Sequence, residues 1–96
     1  MLGKRRKGSP PVMKVRALRA LLSVLPEDGV MGYGEMVKVM VLRANVSFNY
    51  AYHILNELIV LNILTKVGDS RYKVNKEMLE KYIQRLESDP RIRGGG

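Results

Sequence analysis

Ninety-six residues without a cysteine exclude disulfides and thiolate metal sites, and they fit one intracellular domain around a single modest core. With 46% hydrophobic and 27% charged residues the chain reads as globular; no apolar stretch approaches the roughly eighteen residues of a membrane span, and no apolar run follows the N-terminal cations as in a signal peptide. The formal charge of +8 is concentrated at one end, because residues 1–19 hold Lys4, Arg5, Arg6, Lys7, Lys14, Arg16 and Arg19 and no acid, which makes a polyanion the leading partner, nucleic acid ahead of an anionic membrane, with a solubilising tail as the bland alternative.

Residues 1–10 are rich in Gly, Lys, Arg, Ser and Pro and are expected to form a flexible basic arm. Its Lys4, Arg5, Arg6 and Lys7 can lie along phosphates and gain affinity by counterion release. Pro10-Pro11 suits the start of a helix, and Val12, Val15, Leu18, Leu21, Leu22 and Leu25 trace an amphipathic stripe to Pro26, where that helix must end. Lys14, Arg16 and Arg19 ride its polar side, and Glu27-Asp28-Gly29 is a turn. Val30-Met31 is expected as a short strand that joins a later hairpin. Gly32-Tyr33-Gly34 leads into a second helix, Glu35 to Arg43, with Met36, Val37, Met40 and Val41 inward and with end charges that suit the helix dipole. Ala44-Asn45-Val46 is a connection of helix-turn-helix length.

Ser47 is placed to cap a third helix, in which Ala51, Ile54, Leu55, Leu58 and Leu61 share one buried face. Asn49, Tyr50, His53, Asn56 and Glu57 are then outside; Tyr52 falls at the core edge, and Phe48 is either exposed or packed under the first turn. Asn62 stops the helix in the left-handed conformation that C-terminal caps use. Ile63–Val67 and Arg71–Val74 flank Gly68-Asp69-Ser70 as a hairpin. Period-two alternation sets Lys66, Arg71 and Lys73 on one face of it, against Val67, Tyr72 and Val74, with Ser70 at the tip. Asn75 caps a fourth helix over Lys76 to about Leu86, with Met78, Leu79, Tyr82, Ile83 and Leu86 as its apolar face. Asp89-Pro90 closes it, and residues 89–96 are expected as a disordered tail; no internal repeat is present.

This order, mainly α with a small β-hairpin, resembles the winged helix-turn-helix superfamily over about residues 11–88. Tyr33-Gly34-Glu35, Val46-Ser47, Ala51-Tyr52, Leu55, Leu58 and Ile63-Leu64 are similar to small archaeal and bacterial regulators of that type, including PadR-like and MarR-like proteins, and to the winged-helix partition proteins of crenarchaeal plasmids. The chain departs from many of them in having Asn62 where they carry Gly, and Tyr50 and His53 at outer positions. The resemblance implies a recognition helix, a wing and a DNA target.

The residues support binding chemistry and not catalysis: one His, no Cys, no phosphate-binding Gly-rich loop and no metal-ligand spacing, so neither cofactor nor metal is expected. His53 and Glu57 are four apart and read as a surface ion pair. Double-stranded DNA is the expected partner, since a major groove admits a helix. Ser47, Phe48, Asn49, Tyr50, His53 and Asn56 are the candidate recognition-helix contacts; Lys66, Ser70, Arg71 and Lys73 are those of the wing, and Lys38 and Arg43 join the arm on the backbone. Helices one and four carry more apolar surface than a small monomer buries, so Leu18, Met78, Leu79, Tyr82, Ile83 and Leu86 are expected to form a symmetric dimer. The expected role is a dimeric, nucleoid-associated transcription regulator. The alternatives are a partition protein that spreads along DNA and engages a further protein, a protein-docking winged helix, and an RNA binder.

Overall fold

A computed structural model describes residues 10–88, so the basic arm with Lys4, Arg5, Arg6 and Lys7 and the tail from Asp89 lie outside the described residues. The chain is mainly helical with a small antiparallel sheet, in the order α1 (Pro10–Val24), β1 (Val30–Gly32), α2 (Tyr33–Ala44), α3 (Phe48–Val60), β2 (Leu64–Gly68), β3 (Arg71–Val74) and α4 (Lys76–Glu87). Helix α1 ends one residue earlier than its apolar stripe suggests, because Leu25 precedes Pro26 and a residue before proline is driven out of the helical region. Of that stripe Leu18 and Leu21 are fully buried, with Ala17 beside them, while Val15, Leu22 and Leu25 are half-buried.

Helix α2 starts at Tyr33, two residues before the expected Glu35. Two contacts make the earlier start possible. Glu35 Oε1 accepts from the Gly32 amide at 3.0 Å, and the Ser70 carbonyl of the hairpin turn accepts from the Tyr33 amide at 2.8 Å. The second is a tertiary bond, and it satisfies a first-turn donor that has no partner inside its own helix. Asn45 takes a left-handed conformation (φ 59°) after α2, and Ser47 Oγ accepts from the Tyr50 amide at 3.0 Å to start α3. At the other end of α3, Asn62 is left-handed (φ 65°) as expected. Its amide and that of Ile63 donate to the Ile59 and Leu58 carbonyls at 3.0 and 2.9 Å, the paired bonds of a Schellman cap. Leu61, expected on the buried face, is instead 41% exposed because it stands beyond the last helical turn.

The sheet order is β1-β3-β2, so β3 is central and the expected strand at Val30 adds to the hairpin edge. The hairpin turn carries its left-handed residue at Ser70 (φ 55°), which closes the Gly68-Asp69-Ser70 loop. Gly29 (φ 74°) brings the chain onto β3: its carbonyl accepts from the Val74 amide at 2.8 Å, and a Cβ there would stand 2.8 Å from the Val74 oxygen.

Asn75 Oδ1 accepts from the Met78 amide at 3.0 Å and opens α4. Leu79 and Ile83 of α4 meet Leu18 and Leu21 of α1, Met36 and Met40 of α2, and Ile54, Leu55 and Leu58 of α3 in one core. No polar or charged residue is buried in it among the described residues. The fourth helix therefore covers its own chain. Leu18, Leu79 and Ile83, assigned from the sequence to a dimer face, are 0%, 0% and 2% exposed, and that leaves only Met78, Tyr82 and Leu86 of the set with accessible surface. Period alone could not separate a face buried by α1 of the same chain from one buried by a second copy. None of the helices among the described residues is long and apolar enough to cross a membrane.

Candidate nucleic-acid interface

Helix α3 has an outward ridge. With Ala51, Ile54, Leu55 and Leu58 buried, the helical period turns Asn49, Tyr52, His53, Asn56 and Val60 to solvent. Phe48 in the first turn is 57% exposed and Val60 in the last is 80% exposed. Ser47 at the N-cap is exposed too, although its hydroxyl oxygen already accepts from the Tyr50 amide. Two aromatic positions differ from the sequence reading. Tyr52, expected at the core edge, is 44% exposed and stacks on Tyr33, with ring centres 5.9 Å apart and planes 16° from parallel. Tyr50, expected outside, is half-buried and lines a depression with Lys14, His53 and Glu57; burial, the largest influence, raises its hydroxyl pKa.

Glu57 is held by α1 and not by His53. Its carboxylate lies 2.8 Å from the Lys14 ammonium, which also reaches the Tyr82 hydroxyl of α4 at 3.4 Å. At 6.0 Å from the Tyr82 ring centre, the ammonium stands beyond the hydroxyl and off the ring face, so this is a polar contact and not a cation–π one. Burial lowers the Lys14 pKa, but the bond to Glu57 and the charges around it raise it by more, and it ends above its usual value. A second tie joins the same helices where Arg19 Nε donates to Glu87 Oε2 at 2.8 Å. Among the described residues of the basic N-terminal stretch, Lys14 and Arg19 are thus engaged within the fold.

The hairpin cations do not share one face. Across an antiparallel pair, residues directly opposite lie on the same side of the sheet. Lys66 pairs with Tyr72, and Thr65 pairs with Lys73, with an irregularity at Val67 before Gly68 pairs with Arg71. Lys66 therefore shares the inner face with Tyr72, Leu64 and Val74, while Arg71 and Lys73 take the outer one. The expectation followed each strand's own alternation and lacked the register between them.

This turns Lys66 toward α3. Tyr33, Asn56, Ile59, Lys66, Ser70 and Tyr72 line a shallow notch of about 310 Å³ between the helix and the hairpin. Tyr33 is its organising residue: it stacks on Tyr52, its ring centre is 5.5 Å from that of Tyr72, and its hydroxyl donates to Asn56 Oδ1 at 3.4 Å. Burial, helped by the neighbouring tyrosines, raises its pKa. Nothing in Gly32-Tyr33-Gly34 as a turn signal points to this role. Lys73 instead borders a wider hollow of about 650 Å³ on the outer sheet face, where Glu27 and Asp28 also stand. Lys38 and Arg43 are exposed but line a depression with Val24, Met31, Glu35, Val39 and Leu42, to which no residue of α3 or the hairpin contributes. So Asn56, Lys66 and Ser70 come together in the notch, with Asn49 and His53 on the same exposed ridge of α3, whereas Lys73, Lys38 and Arg43 do not join them.

Among the described residues no group of three His, Cys, Asp or Glu side chains could hold a metal ion. No protein-family model matches the chain, and neither a curated protein nor a solved structure does.

Proposed function

We propose that the chain is a sequence-specific double-stranded DNA-binding protein of winged-helix type, acting as a transcription regulator, with α3 in the major groove and β2–β3 as the wing. The observation that carries this reading is the exposed polar ridge of α3, Asn49, His53 and Asn56, of which Asn56 shares a notch with Lys66 and Ser70 of the hairpin. A major groove takes one helix, base edges need amide-like donors and acceptors, and the flanking backbone needs cations. The arm cations Lys4, Arg5, Arg6 and Lys7 add sequence-independent affinity.

A fluorescence-anisotropy titration tests it, with a random 30-bp duplex and the DNA flanking the chain's own gene at two salt concentrations. Tighter binding to the flank that persists at higher salt is the expected result. No binding even at low salt would remove the reading. A second reading has its own support: Phe48, Tyr52 and Val60 expose apolar surface on the same helix, which suits docking of another protein. Capture of a protein partner that Val60→Asp abolishes, together with absent DNA binding, would put it first. A partition role on the same fold would show as cooperative footprints longer than one site.

A further inference from the structure

Helix α3 runs Phe48-Asn49-Tyr50-Ala51-Tyr52-His53-Ile54-Leu55-Asn56-Glu57-Leu58-Ile59-Val60 and holds neither Lys nor Arg. The commonest specific contact to guanine is the two-bond fork of Arg or the ammonium of Lys on O6 and N7, and a carboxylate is what accepts from the cytosine amino group. Glu57 is the one carboxylate of α3, and Lys14 draws it to the α1 side at 2.8 Å, beside half-buried Tyr50. Both charged readers of a G·C pair are therefore missing from the ridge. What remains is His53 in mid-ridge, Asn49 exposed in the first turn, Asn56 with its oxygen held by the Tyr33 hydroxyl and its amino group left to donate, and the apolar ends Phe48 and Val60. Asn pairs with adenine through N6 and N7, and apolar side chains pack on the thymine methyl.

We infer that α3 reads adenine–thymine pairs through the major groove, with Asn49 on adenine and Phe48 against a thymine methyl. This rests on the DNA-binding reading above and adds the base class to it. Asn49 stands near the helix N-terminus, where base contacts concentrate in helix-turn-helix proteins, and Phe48 is its neighbour at 57% exposure. Lys66 and Ser70 in the hairpin supply backbone contacts that carry no base preference.

The test is selection by the full chain from 30-bp duplexes with a randomised centre, followed by atom-level changes in the selected duplex. Replacing adenine by 7-deazaadenine removes only N7, and replacing thymine by uracil removes only the methyl; both act in the major groove alone. The expected core is A·T. Deaza substitution at one or two positions should weaken binding about 5- to 100-fold, and uracil about fourfold at a contacted thymine. Asn49→Ala, with its melting temperature checked, should lose the deaza effect, and Asn49→Arg should shift selection toward guanine at that position. A G·C core, or an A·T core indifferent to both substitutions, overturns the inference and leaves DNA binding standing. Failure to enrich or bind any duplex overturns the DNA-binding reading, and this inference with it.

Discussion

Gly29 and Gly34 respond oppositely to one added methyl group. Gly29 has φ 74° and sits where a Cβ would meet the Val74 carbonyl at 2.8 Å, so Gly29→Ala should cost about 1–3 kcal/mol and separate the β1 turn from β3. Gly34 lies in the first turn of α2 with open space around its Cβ position, so Gly34→Ala should add about 0.5–1 kcal/mol by raising helix propensity. Urea unfolding of the two variants checks both signs at once. At this scale most conformational choices were legible. Ser47, Asn62 and Asn75 do what their side chains favour at helix ends. The positive φ of Ser70 is not legible in the sequence, because Gly68 is the better left-handed residue; in the fold the Ser70 carbonyl accepts from the Tyr33 amide of α2, a contact between residues far apart in the chain.

Each helix is held by contacts that its own sequence does not reveal. Lys14, Tyr50 and Tyr82 cluster about Glu57, and Tyr33 stacks in the notch; in all four titratable groups the folded pKa is above the usual 10.5 of Lys or 10.0 of Tyr. A raised folded pKa means that the native state holds its proton more tightly than the unfolded chain. The stability that results is whole below pH about 10 and is lost as pH rises through the folded values. Melting temperature should therefore be flat against these groups from pH 7 to 9 and fall above 10; a decline centred near pH 8 would contradict it. On α4, Leu79→Ala should destabilise by about 2–5 kcal/mol, since its side chain is fully buried. Met78→Ala, at 38% exposure, should change stability by less than about 1 kcal/mol. The apolar periods of α3 and α4 were readable in the chain. Which of the apolar residues on α4 would be covered by α1 was not, because Leu79 and Met78 are chemically equivalent until a neighbour is placed.

For the whole molecule, on the DNA-binding function proposed above, the division of positive charge sets the expected binding behaviour. Deleting residues 1–9 removes Lys4, Arg5, Arg6 and Lys7 and should weaken binding about equally on all duplexes while flattening the salt dependence. Lys66→Ala, in the notch beside Asn56, should reduce the salt slope by about one contact, and Lys73→Ala on the opposite sheet face should leave it unchanged. Equal slopes for the two variants would show that the hairpin does not approach the duplex through its inner face. Self-association through Met78, Tyr82 and Leu86 is checked by sedimentation at micromolar concentration, where a species of 10.9 kDa alone would mean that α4 serves only its own core.

The amino-acid sequence by itself determined the order of the elements, most of their ends and most of the buried helix faces, which depend on residues within about four positions of one another; the start of α2 at Tyr33 and the pairing of the Val30 strand needed the distant hairpin. Tertiary structure alone decided the partners. Lys14 took Glu57 from His53, Tyr33 took Asn56 and Tyr52, and pairing with Tyr72 turned Lys66 away from Arg71 and Lys73. Strand register and helix packing join residues as distant as Lys14 and Tyr82, and one step of register exchanges the two faces of a strand. Periodicity assigns a residue to a side of its own element; only the packed chain assigns that side a neighbour.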